Sequence, residues 1–383
     1  MEIDMENYSV IFAKNLRRFR KSLKMTQEQL ASRLNYTEKA VSKWESGNAI
    51  PPAETLLQLA DVLHVTLDEL FNNFTEPAYY LGIDGGGTKT TFILASRDGD
   101  IVQKIVLGPT NPVDSGFEKT AEVLTKGINV ITANIHRRKI AVFAGISGGG
   151  LPDMKERFRS FLEGFDFFSV ENGSDAENII AAGLRGSDGI VLIMGTGSSC
   201  FACVGGKSSR IGGWGYLFDH AGGGYDLGNA AITAACRAED GTGDMTLLRE
   251  MILENLKAES MQECLSHFYS IGKVGIASFA PIVFEAAEAG DAVAREILRK
   301  NMAHVSTLIR TAVKKFDTAS APIKVVFVGG LTKKWDILAP LLKKELERCD
   351  EGNAALDLTV LRDDVAIGAL FRAGLKNLSE KNK

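Results

Sequence analysis

Two glycine-rich turns, each lying between two apolar stretches, constrain the fold of this chain more than any other feature. The first is Asp84-Gly85-Gly86-Gly87-Thr88-Lys89, which follows an apolar run from Tyr79 and precedes another that ends at Leu94. The second is Gly195-Thr196-Gly197-Ser198, between apolar runs at 189–194 and 199–204. Glycine lets backbone N–H groups approach an anion that side chains would otherwise block. One such hairpin in each half of an α/β region predicts a duplicated fold that holds a nucleotide between two lobes.

The side chains of the first turn suit a phosphate group and its counter-ion. Thr88 offers a hydroxyl to a phosphate oxygen, and Asp84, at the end of the strand, can hold Mg²⁺ through water. The turn is not a P-loop, because Lys89 follows Thr88 rather than a glycine at the required spacing. A third glycine element, Gly329-Gly330, follows an apolar strand and precedes a helix predicted over about 333–347. Its backbone can pass close to a nucleoside.

Composition places the chain among soluble globular proteins. It has 383 residues, of which 45% are hydrophobic and 24% charged, and this length predicts two or three domains. No apolar run approaches the ~18 residues of a transmembrane helix, and the acidic start, Met1 to Glu6, differs from a secretory signal. The five cysteines, including the lone pair Cys200 and Cys203, are expected to be free thiols. We therefore expect a cytoplasmic protein without a membrane partner.

A domain boundary is predicted near residue 76. Residues 8–72 contain almost no glycine and have the apolar spacing of short helices, whereas strands, glycine turns and helices alternate afterwards. The polar stretch from Asn73 to Ala78 contains Pro77 and separates the two patterns. The prediction is an all-α domain at 1–76 and an α/β domain at 77–383, with lobes at about 79–186 and 187–383.

The first domain has the pattern of a helix-turn-helix. Thr26 and Gln29 form a capping box for a second helix, and Thr37 can cap a third helix whose inward side chains include Val41 and Trp44. Residues 14–45 contain nine Lys or Arg and three Glu, which is an excess of six positive charges in a chain whose net charge is −4. Such a local basic face favours binding to DNA phosphates. The alternative is a helical adaptor whose basic face is only solvated.

These residues resemble the phage Cro/repressor-type (XRE) family of helix-turn-helix domains. The resemblance rests on the runs Thr26 to Ala31 and Val41 to Gly47, then Pro51 and the run Leu67 to Phe71. It implies that operator DNA is a partner and that Gln27 contacts a phosphate. The outward side chains of the third helix would meet the base edges of a major groove, namely Glu38, Lys39, Ser42 and Lys43.

Residues 79–383 resemble the actin-like ATPase/sugar kinase superfamily, which has a ribonuclease H-like α/β fold of two lobes. They resemble most closely its BadF/BadG/BcrA/BcrD ATPase family, which includes N-acetylglucosamine kinases. The resemblance implies that ATP phosphates bind at Asp84 to Lys89 and at Gly195 to Ser198, with Gly329 and Gly330 near adenosine. It implies ATP with Mg²⁺, and a sugar held by Asn111, which follows Thr110, and close to Ser147 and Gly148.

Asp175 is the candidate catalytic base. Transfer of a γ-phosphoryl group to a sugar hydroxyl needs a carboxylate that orients the hydroxyl and accepts its proton. Asp175 follows an apolar strand at 165–170 and precedes an alanine-rich helix, and the family resemblance points to the pair Asp175-Ala176. The other interpretation is that Asp175 is the N-cap of that helix, a role compatible with catalysis.

One segment departs from the pattern that this family resemblance implies. Relatives usually carry an Asp-Glu pair and then a Ser before Gly-Tyr, where this chain has Asp219-His220-Ala221 and Gly223. In one alignment with the family pattern, Asp219 takes the place of the Asp and contributes to the sugar site. In an alignment shifted by one residue, His220 and Ala221 take the places of the Asp-Glu pair, and both carboxylates are lost. Gly212 to Tyr216 is either a sugar contact or a packed turn with an aromatic plug.

The sequence thus predicts a transcriptional regulator fused to an ATP-dependent amino-sugar kinase, expected to be a homodimer. The alternative is a regulator whose kinase fold only senses a sugar or sugar phosphate. A third possibility, an activator ATPase with an iron–sulfur cluster, is disfavoured because the cysteines form no obvious ligand set. Closure of the lobes on a substrate is expected to alter how two helix-turn-helix modules meet their half-sites.

Overall fold

The structure, a computed structural model, describes residues 5–72, 76–219, 222–317, 322–348 and 355–379. The chain divides into two compact units. The first is Met1–Tyr79 with Asn134–Ala141 and Phe165–Ser169, and the remainder forms the second. No helix in the described ranges is long and apolar enough to cross a membrane. The predictions made for His220, Ala221 and part of the segment after Asn72 fall outside the described residues.

The first unit contains the predicted short helices. They are α1 (Met5–Ser22), α2 (Gln27–Arg33), α3 (Glu38–Glu45), α4 (Ala53–Leu63) and α5 (Leu67–Phe71). Both predicted caps are confirmed: the hydroxyl of Thr26 accepts a hydrogen bond from Gln29 N at 3.1 Å, and that of Thr37 accepts one from Ala40 N at 3.3 Å. Trp44 is buried in the core, as predicted. Leu23 lies beyond the end of α1 and is 39% exposed.

Two later stretches of the chain complete the first unit. Arg138 forms ion pairs with Glu69 at 3.2 Å and with Asp166 at 2.7 Å. Lys139 pairs with Asp68 at 3.0 Å, and its carbonyl oxygen accepts a hydrogen bond from the backbone N–H of Ala78 at 2.8 Å. The acidic start of α5 therefore has basic partners about seventy positions later in the sequence.

The first sheet has the strand order β3-β2-β1-β4-β5. Its strands are β1 (Tyr79–Gly85), β2 (Thr90–Ser96), β3 (Ile101–Leu107), β4 (Ile140–Ile146) and β5 (Ser169–Gly173). The helices of this part are α6 (Pro112–Ser115), α7 (Phe117–Ile131), α8 (Pro152–Glu163) and α9 (Asp175–Leu184), with a 3-10 turn at Arg137–Lys139. The hairpin of β2 and β3 is antiparallel.

The second sheet has the strand order β10-β9-β6-β7-β8. Its strands are β6 (Gly189–Met194), β7 (Ser198–Val204), β8 (Lys207–Ile211), β9 (Ile323–Val328) and β10 (Leu356–Val360). In both sheets the first strand is central, two hairpin strands follow on one side, and two later strands lie on the other. This repeat confirms the predicted duplicated α/β fold.

The second half of the chain is mostly helical between its strands. The helices are α10 (Gly224–Asp240), α11 (Leu247–Leu256), α12 (Leu265–Ser270), α13 (Gly272–Ala277), α14 (Ala280–Glu288), α15 (Ala292–Val313), α16 (Trp335–Glu347) and α17 (Ala366–Arg372), with a 3-10 turn at Gly330–Lys334. The last helix, α17, returns to the first sheet: a Cβ on Gly82 of β1 would lie 2.9 Å from the Cβ of Ala369. Helices α9 and α17 also pack closely, because Gly368 lies against the backbone of Asn178.

Candidate active site and nucleic-acid interface

The first glycine turn begins where β1 ends. Gly86 N donates to the carbonyl oxygen of Lys89 at 3.0 Å, which closes the turn, and Gly87, Thr88 and Lys89 are exposed. A Cβ on Gly85 would collide with the hydroxyl of Thr110, so the strand can end in this way only with glycine there. The turn therefore presents backbone and a hydroxyl to solvent, as a phosphate site requires.

The second glycine turn lies against the start of α10. The backbone N–H groups of Gly224 and Tyr225 donate to the carbonyl oxygens of Gly195 and Thr196, each at 2.8 Å. A Cβ on Gly223 would lie 2.8 Å from backbone atoms of the same turn. A serine does not fit at Gly223 in this arrangement, which gives a physical reason for the departure from the family pattern at that position.

The third glycine element lies next to the second turn. Strands β9 and β6 are parallel neighbours, so Gly329, which follows β9, meets the end of β6. A Cβ on Gly329 would lie 2.6 Å from the carbonyl carbon of Met194, and its φ of +118° also favours glycine. Gly330 begins the 3-10 turn and has open space around it. The structure thus brings Gly329 and Gly195 to Ser198 together.

The predicted sugar residues lie where β1 and β4 end. Ser147 N donates to the carbonyl oxygen of Gly85 at 2.7 Å, so the two strands end at the same edge. Asn111 caps α6: its Oδ1 accepts from Val113 N at 3.0 Å and its Nδ2 donates to Asp114 Oδ2 at 2.6 Å. A Cβ on Gly148 would lie 3.3 Å from Asn111 Oδ1, which places these two residues side by side.

Asp175 is the first residue of α9 and not its N-cap. The N-cap is Ser174, which forms a capping box with Glu177, so the capping interpretation of Asp175 is wrong. The Asp175 carboxylate accepts hydrogen bonds from Ala176 N at 3.0 Å and from the Ser147 side chain. Burial raises the pKa of Asp175, although these hydrogen bonds oppose the shift. The carboxylate is therefore available at the same edge as the sugar candidates.

The charges of two other carboxylates affect Asp84. Burial raises the pKa of Asp84 to about 6; a hydrogen bond from Asn178 opposes this shift, and the negative charges of Asp175 and Asp364 add to it. Sequence reasoning missed both Asn178 and Asp364, which come from α9 and from the segment before α17. A signal for Asn178 exists, because it is a polar residue on the apolar face of a helix.

Asp84 also fits a hydrated metal ion. Its Oδ1 accepts a hydrogen bond from Asn178, and within the described residues no group donates to its Oδ2. A carboxylate oxygen left free in this way is a ligand type that Mg²⁺ uses, often through water. No group of three or more His, Cys, Asp or Glu in the described part of the chain could hold a metal by itself. Cys200 and Cys203 are buried, and burial raises their pKa to about 12 and about 11.

Asp219 lies beside the second turn. It lines a small cleft with Thr196, Ser198 and Tyr216. Its Oδ2 accepts hydrogen bonds from the backbone of Gly213 and, at 3.3 Å, from Trp214 N. The carboxylate thus holds the turn before it. Of the two alternatives for the turn at Gly212 to Tyr216, the packed aromatic plug is wrong for Trp214, which is 71% exposed.

The basic face of the helix-turn-helix is exposed. The candidate base contacts on α3 all face solvent, namely Glu38, Lys39, Ser42 and Lys43. Arg20 and Glu45 instead form a buried ion pair with an Nη2–Oε2 distance of 2.9 Å, and Gln27 Nε2 donates to the same Oε2 at 2.8 Å. The excess of six positive charges therefore remains on exposed residues, because the buried pair removes one charge of each sign.

Comparisons with known proteins agree with both halves. Residues 81–370 match the BadF/BadG/BcrA/BcrD ATPase family, and residues 16–70 match a helix-turn-helix family. The chain is 28% identical over 303 residues to an N-acetylmuramic acid/N-acetylglucosamine kinase of Clostridium acetobutylicum, covering 77% of this chain and 98% of that protein. It is 31% identical over 102 residues to YqaE, an uncharacterized helix-turn-helix-type transcriptional regulator of Bacillus subtilis, covering 25% of this chain and 84% of YqaE.

The fold has a counterpart among solved structures. A Chromobacterium violaceum protein assigned as an N-acetylglucosamine kinase superposes with a TM-score of 0.61 at 23% identity, covering 78% of this chain and 99% of the other. At this identity the likeness concerns the fold alone. The two glycine turns, the repeated sheet order and the family match agree: the chain belongs to the BadF/BadG/BcrA/BcrD ATPase family, with a helix-turn-helix domain joined in front of it.

Proposed function

We propose that this protein is an ATP-dependent amino-sugar kinase joined to an operator-binding transcriptional regulator. The observation that carries the proposal is the position of Asp175. Its carboxylate is free of the capping role, is hydrogen-bonded to Ser147, and lies close enough to Asp84 for the two charges to affect each other. A base beside a phosphate-binding turn is what phosphoryl transfer to a hydroxyl needs.

The proposed reaction transfers the γ-phosphoryl group of ATP to a sugar hydroxyl. The backbone of the turns at Asp84 to Lys89 and Gly195 to Ser198 binds the phosphates, with Gly329 and Gly330 beside adenosine. Asp175 accepts the hydroxyl proton as the new phosphorus–oxygen bond forms and the bond to ADP breaks. Bound Mg²⁺ would neutralise charge on the phosphate oxygens, and Asp84 would hold it through water.

The proposed substrate is an N-acetylglucosamine-like amino sugar. The Clostridium relative is named for N-acetylmuramic acid and N-acetylglucosamine, which supports this class. Asn111, Ser147 and Gly148 lie together at the edge where Asp175 lies, and polar side chains there can bind sugar hydroxyl or amide groups. Asp219 is a further proposed sugar residue, although its carboxylate already binds the turn at Gly213.

The proposed DNA partner is an operator read by α3. Glu38, Lys39, Ser42 and Lys43 would meet base edges, and Gln27, at the start of α2, would contact a phosphate. We propose that the protein acts as a homodimer in the cytoplasm, because a pair of helix-turn-helix domains reads two half-sites.

A sensor without catalysis is the second candidate. It is favoured by the segment around Gly223, where the turn leaves no room for a serine and Asp219 is occupied by backbone N–H groups. In that case a sugar or sugar phosphate would bind in the same place and would act only as an effector.

The test is ATP-dependent phosphorylation by the full-length protein. N-acetylglucosamine, N-acetylmuramic acid, glucosamine and glucose are offered in turn, with Asp175→Asn as the inactive variant and the exposed Asp98→Asn as the matched control. The proposal expects turnover of one sugar that Asp175→Asn reduces by at least about a hundredfold and Asp98→Asn leaves unchanged. If no sugar is phosphorylated while one of them raises the melting temperature, the sensor is the correct function.

A further inference from the structure

Asn178 is a buried polar residue that the proposed reaction does not use. It lies on α9, three residues after Asp175, and its side chain is fully buried. Its amide nitrogen donates to Asp84 Oδ1 at 2.7 Å and lies 3.2 and 3.3 Å from the carbonyl oxygens of Gly145 and Ile83. Three acceptors around one nitrogen determine which way the amide faces.

The fold provides a fitted space for this side chain. A Cβ on Gly145 would overlap the amide group of Asn178, and a Cβ on Gly368 would overlap the carbonyl oxygen of its backbone. Strand β4 and helix α17 therefore each place a glycine where they contact Asn178. Because two separate elements both make room for Asn178, we infer that its position is a specific feature of the site.

The orientation of the amide leaves one of its own atoms without a partner. Asn178 Oδ1 is buried and has no hydrogen-bond partner among the described residues, which is uncommon for a buried polar atom. Turning the amide over would bring Oδ1 against the carboxylate of Asp84, and two acceptors repel each other. The structure thus leaves one acceptor unpaired and keeps the N–H group directed at Asp84.

The hydrogen bond determines which oxygen of Asp84 is available. Oδ1 is engaged by Asn178, and within the described residues Oδ2 has no donor. Asn178 and Asp175 share α9, so this bond connects the carboxylate at the end of β1 to the helix that carries the candidate base. A shift of Asp84 relative to α9 would change the distance between a metal held at Oδ2 and a hydroxyl held at Asp175.

We propose that Asn178 is a positioning residue that fixes the carboxylate of Asp84 for a hydrated divalent cation. It acts through Asp84 and does not touch substrate. The inference rests on the proposed function, in which Asp84 holds Mg²⁺ through water.

The test measures how much Mg²⁺ the full-length protein needs to bind ADP. Calorimetric titrations with ADP at a series of Mg²⁺ concentrations are made on wild-type protein, Asn178→Ala and Asn178→Leu. Loss of a residue that orients a metal-binding group costs about 10–100-fold in metal affinity. The Mg²⁺ concentration for half-maximal ADP binding is therefore expected to rise at least about tenfold in both variants, whereas sugar binding without nucleotide stays within about twofold.

The matched control is Asn172→Ala. Asn172 is also buried and donates to a backbone carbonyl, that of Lys155, at 2.9 Å. The control is expected to lower the melting temperature without changing the Mg²⁺ requirement. Asn178→Leu keeps the number and branching of the side-chain heavy atoms and carries the test if Asn178→Ala does not fold. A double variant completes the series: in an Asp84→Asn background, Asn178→Ala is expected to have no further effect on Mg²⁺-dependent binding.

The outcomes separate the two proposals. Wild-type protein that binds ADP with Mg²⁺, together with Asn178 variants that have an unchanged Mg²⁺ requirement, overturns the role of Asn178 and leaves the proposed function standing. An equal increase in Asn172→Ala also overturns it, because the effect is then general destabilisation. Wild-type protein that binds no ADP at any Mg²⁺ concentration contradicts the proposed function, and this inference fails with it.

Discussion

At the scale of single residues, Asp84 shows a conflict between stability and the charge that the proposed function needs there. Burial, together with the nearby carboxylates of Asp175 and Asp364, disfavours its ionised form and raises its pKa to about 6. At neutral pH the protein therefore carries a charge whose burial destabilises the folded state. Active sites often hold such unfavourable groups, which a bound ligand then stabilises.

Asp84→Asn is expected to stabilise the ligand-free protein. The substitution removes the buried charge and keeps an oxygen that can accept the hydrogen bond from Asn178, so the melting temperature at pH 7.5 should rise by about 2 °C. The proposed function expects Mg²⁺ and ADP to stabilise wild-type protein, and this stabilisation should be lost in the variant. Thermal unfolding with and without both ligands measures the two effects. A lower melting temperature without ligand would show that the ionised Asp84 carboxylate does not destabilise the folded protein.

The residues of the candidate site differ in how far sequence could identify them. The family resemblance and the local pattern point to Asp84, Thr88 and Asp175, because each lies at the end of an apolar strand, in a glycine turn or at the start of a helix. Asn178 donates to Asp84, and the charge of Asp364 affects it, only in the folded chain, 94 and 280 positions later, so no local spacing indicates either interaction. The alternative that makes Asp175 the N-cap is wrong, and sequence could not exclude it because Ser174 and Asp175 both have side chains that cap helices.

At the scale of elements, close contacts between backbones decide where glycine is required. Sequence reasoning recognised the glycine clusters, but it could not separate glycines that face a ligand from those that allow two elements to pack. Gly329 packs against the end of β6, whereas Gly330 has open space around it. Substitutions at Gly329 and Gly330 can therefore be compared directly, with Gly330 as the control.

Gly329→Ala is expected to be destabilising and Gly330→Ala is not. The added methyl group at Gly329 meets the carbonyl of Met194, and the φ of +118° is unfavourable for alanine, so we expect a loss of about 2–3 kcal/mol in the free energy of unfolding. Gly330→Ala should stay within about 0.5 kcal/mol. Urea unfolding of the two full-length variants compares them. Equal stabilities would show that β6 and Gly329 are not packed as described.

The first unit depends on the buried pair of Arg20 and Glu45. Burial alone would raise the pKa of Glu45, but hydrogen bonds from Arg20 and Gln27 lower it below its ordinary value. A carboxyl whose folded-state pKa is depressed contributes stability above about pH 4.5, and this contribution is lost as the pH falls through the folded-state pKa. Sequence reasoning counted both residues as surface charges because the contact joins α1 to α3.

Glu45→Gln is expected to lower the stability of the helix-turn-helix by about 3 kcal/mol at pH 7, because Arg20 is left buried without its counter-charge. The difference from wild type should begin to shrink below about pH 4.5, where Glu45 of the unfolded chain takes up a proton, and should be lost once the pH falls below the depressed folded-state pKa of Glu45. Urea unfolding followed by helical circular dichroism at pH 7 and pH 4 measures this. The exposed Glu28→Gln is the control. A pH-independent difference would mean that the ion pair is not its source.

At the scale of the whole molecule, the chain joins a helix-turn-helix domain to a BadF/BadG/BcrA/BcrD ATPase domain, and the proposed function gives operator DNA to the first and a nucleotide with a sugar to the second. A ligand that shifts a conformational equilibrium of the protein can change the affinity for DNA. The size of this change is limited by the difference between the ligand's affinities for the two conformations. Coupling of this kind usually changes affinity about 5- to 150-fold.

Sugar and ATP together are expected to change the affinity for operator DNA by at least about fivefold. Fluorescence anisotropy with a labelled fragment of the protein's own upstream region, at constant salt, measures this. Asp175→Asn separates binding from turnover. A change in DNA affinity that is caused by sugar binding alone persists in this variant, whereas a change that is caused by the phosphorylated product is lost. DNA affinity that does not respond to sugar or ATP would show that the two activities are independent.

The first unit is built from separate segments of the chain, and this limits how recombination can exchange domains between the genes of such proteins. Asp68 and Glu69 pair with Lys139 and Arg138, which are encoded about seventy codons downstream. A recombination event that transferred only residues 1–76 would separate these carboxylates from the cations that neutralise them. Among natural fusions of this kind, we therefore expect the acidic and basic positions to be inherited together, so that the heritable module is larger than the segment in front of the fusion point.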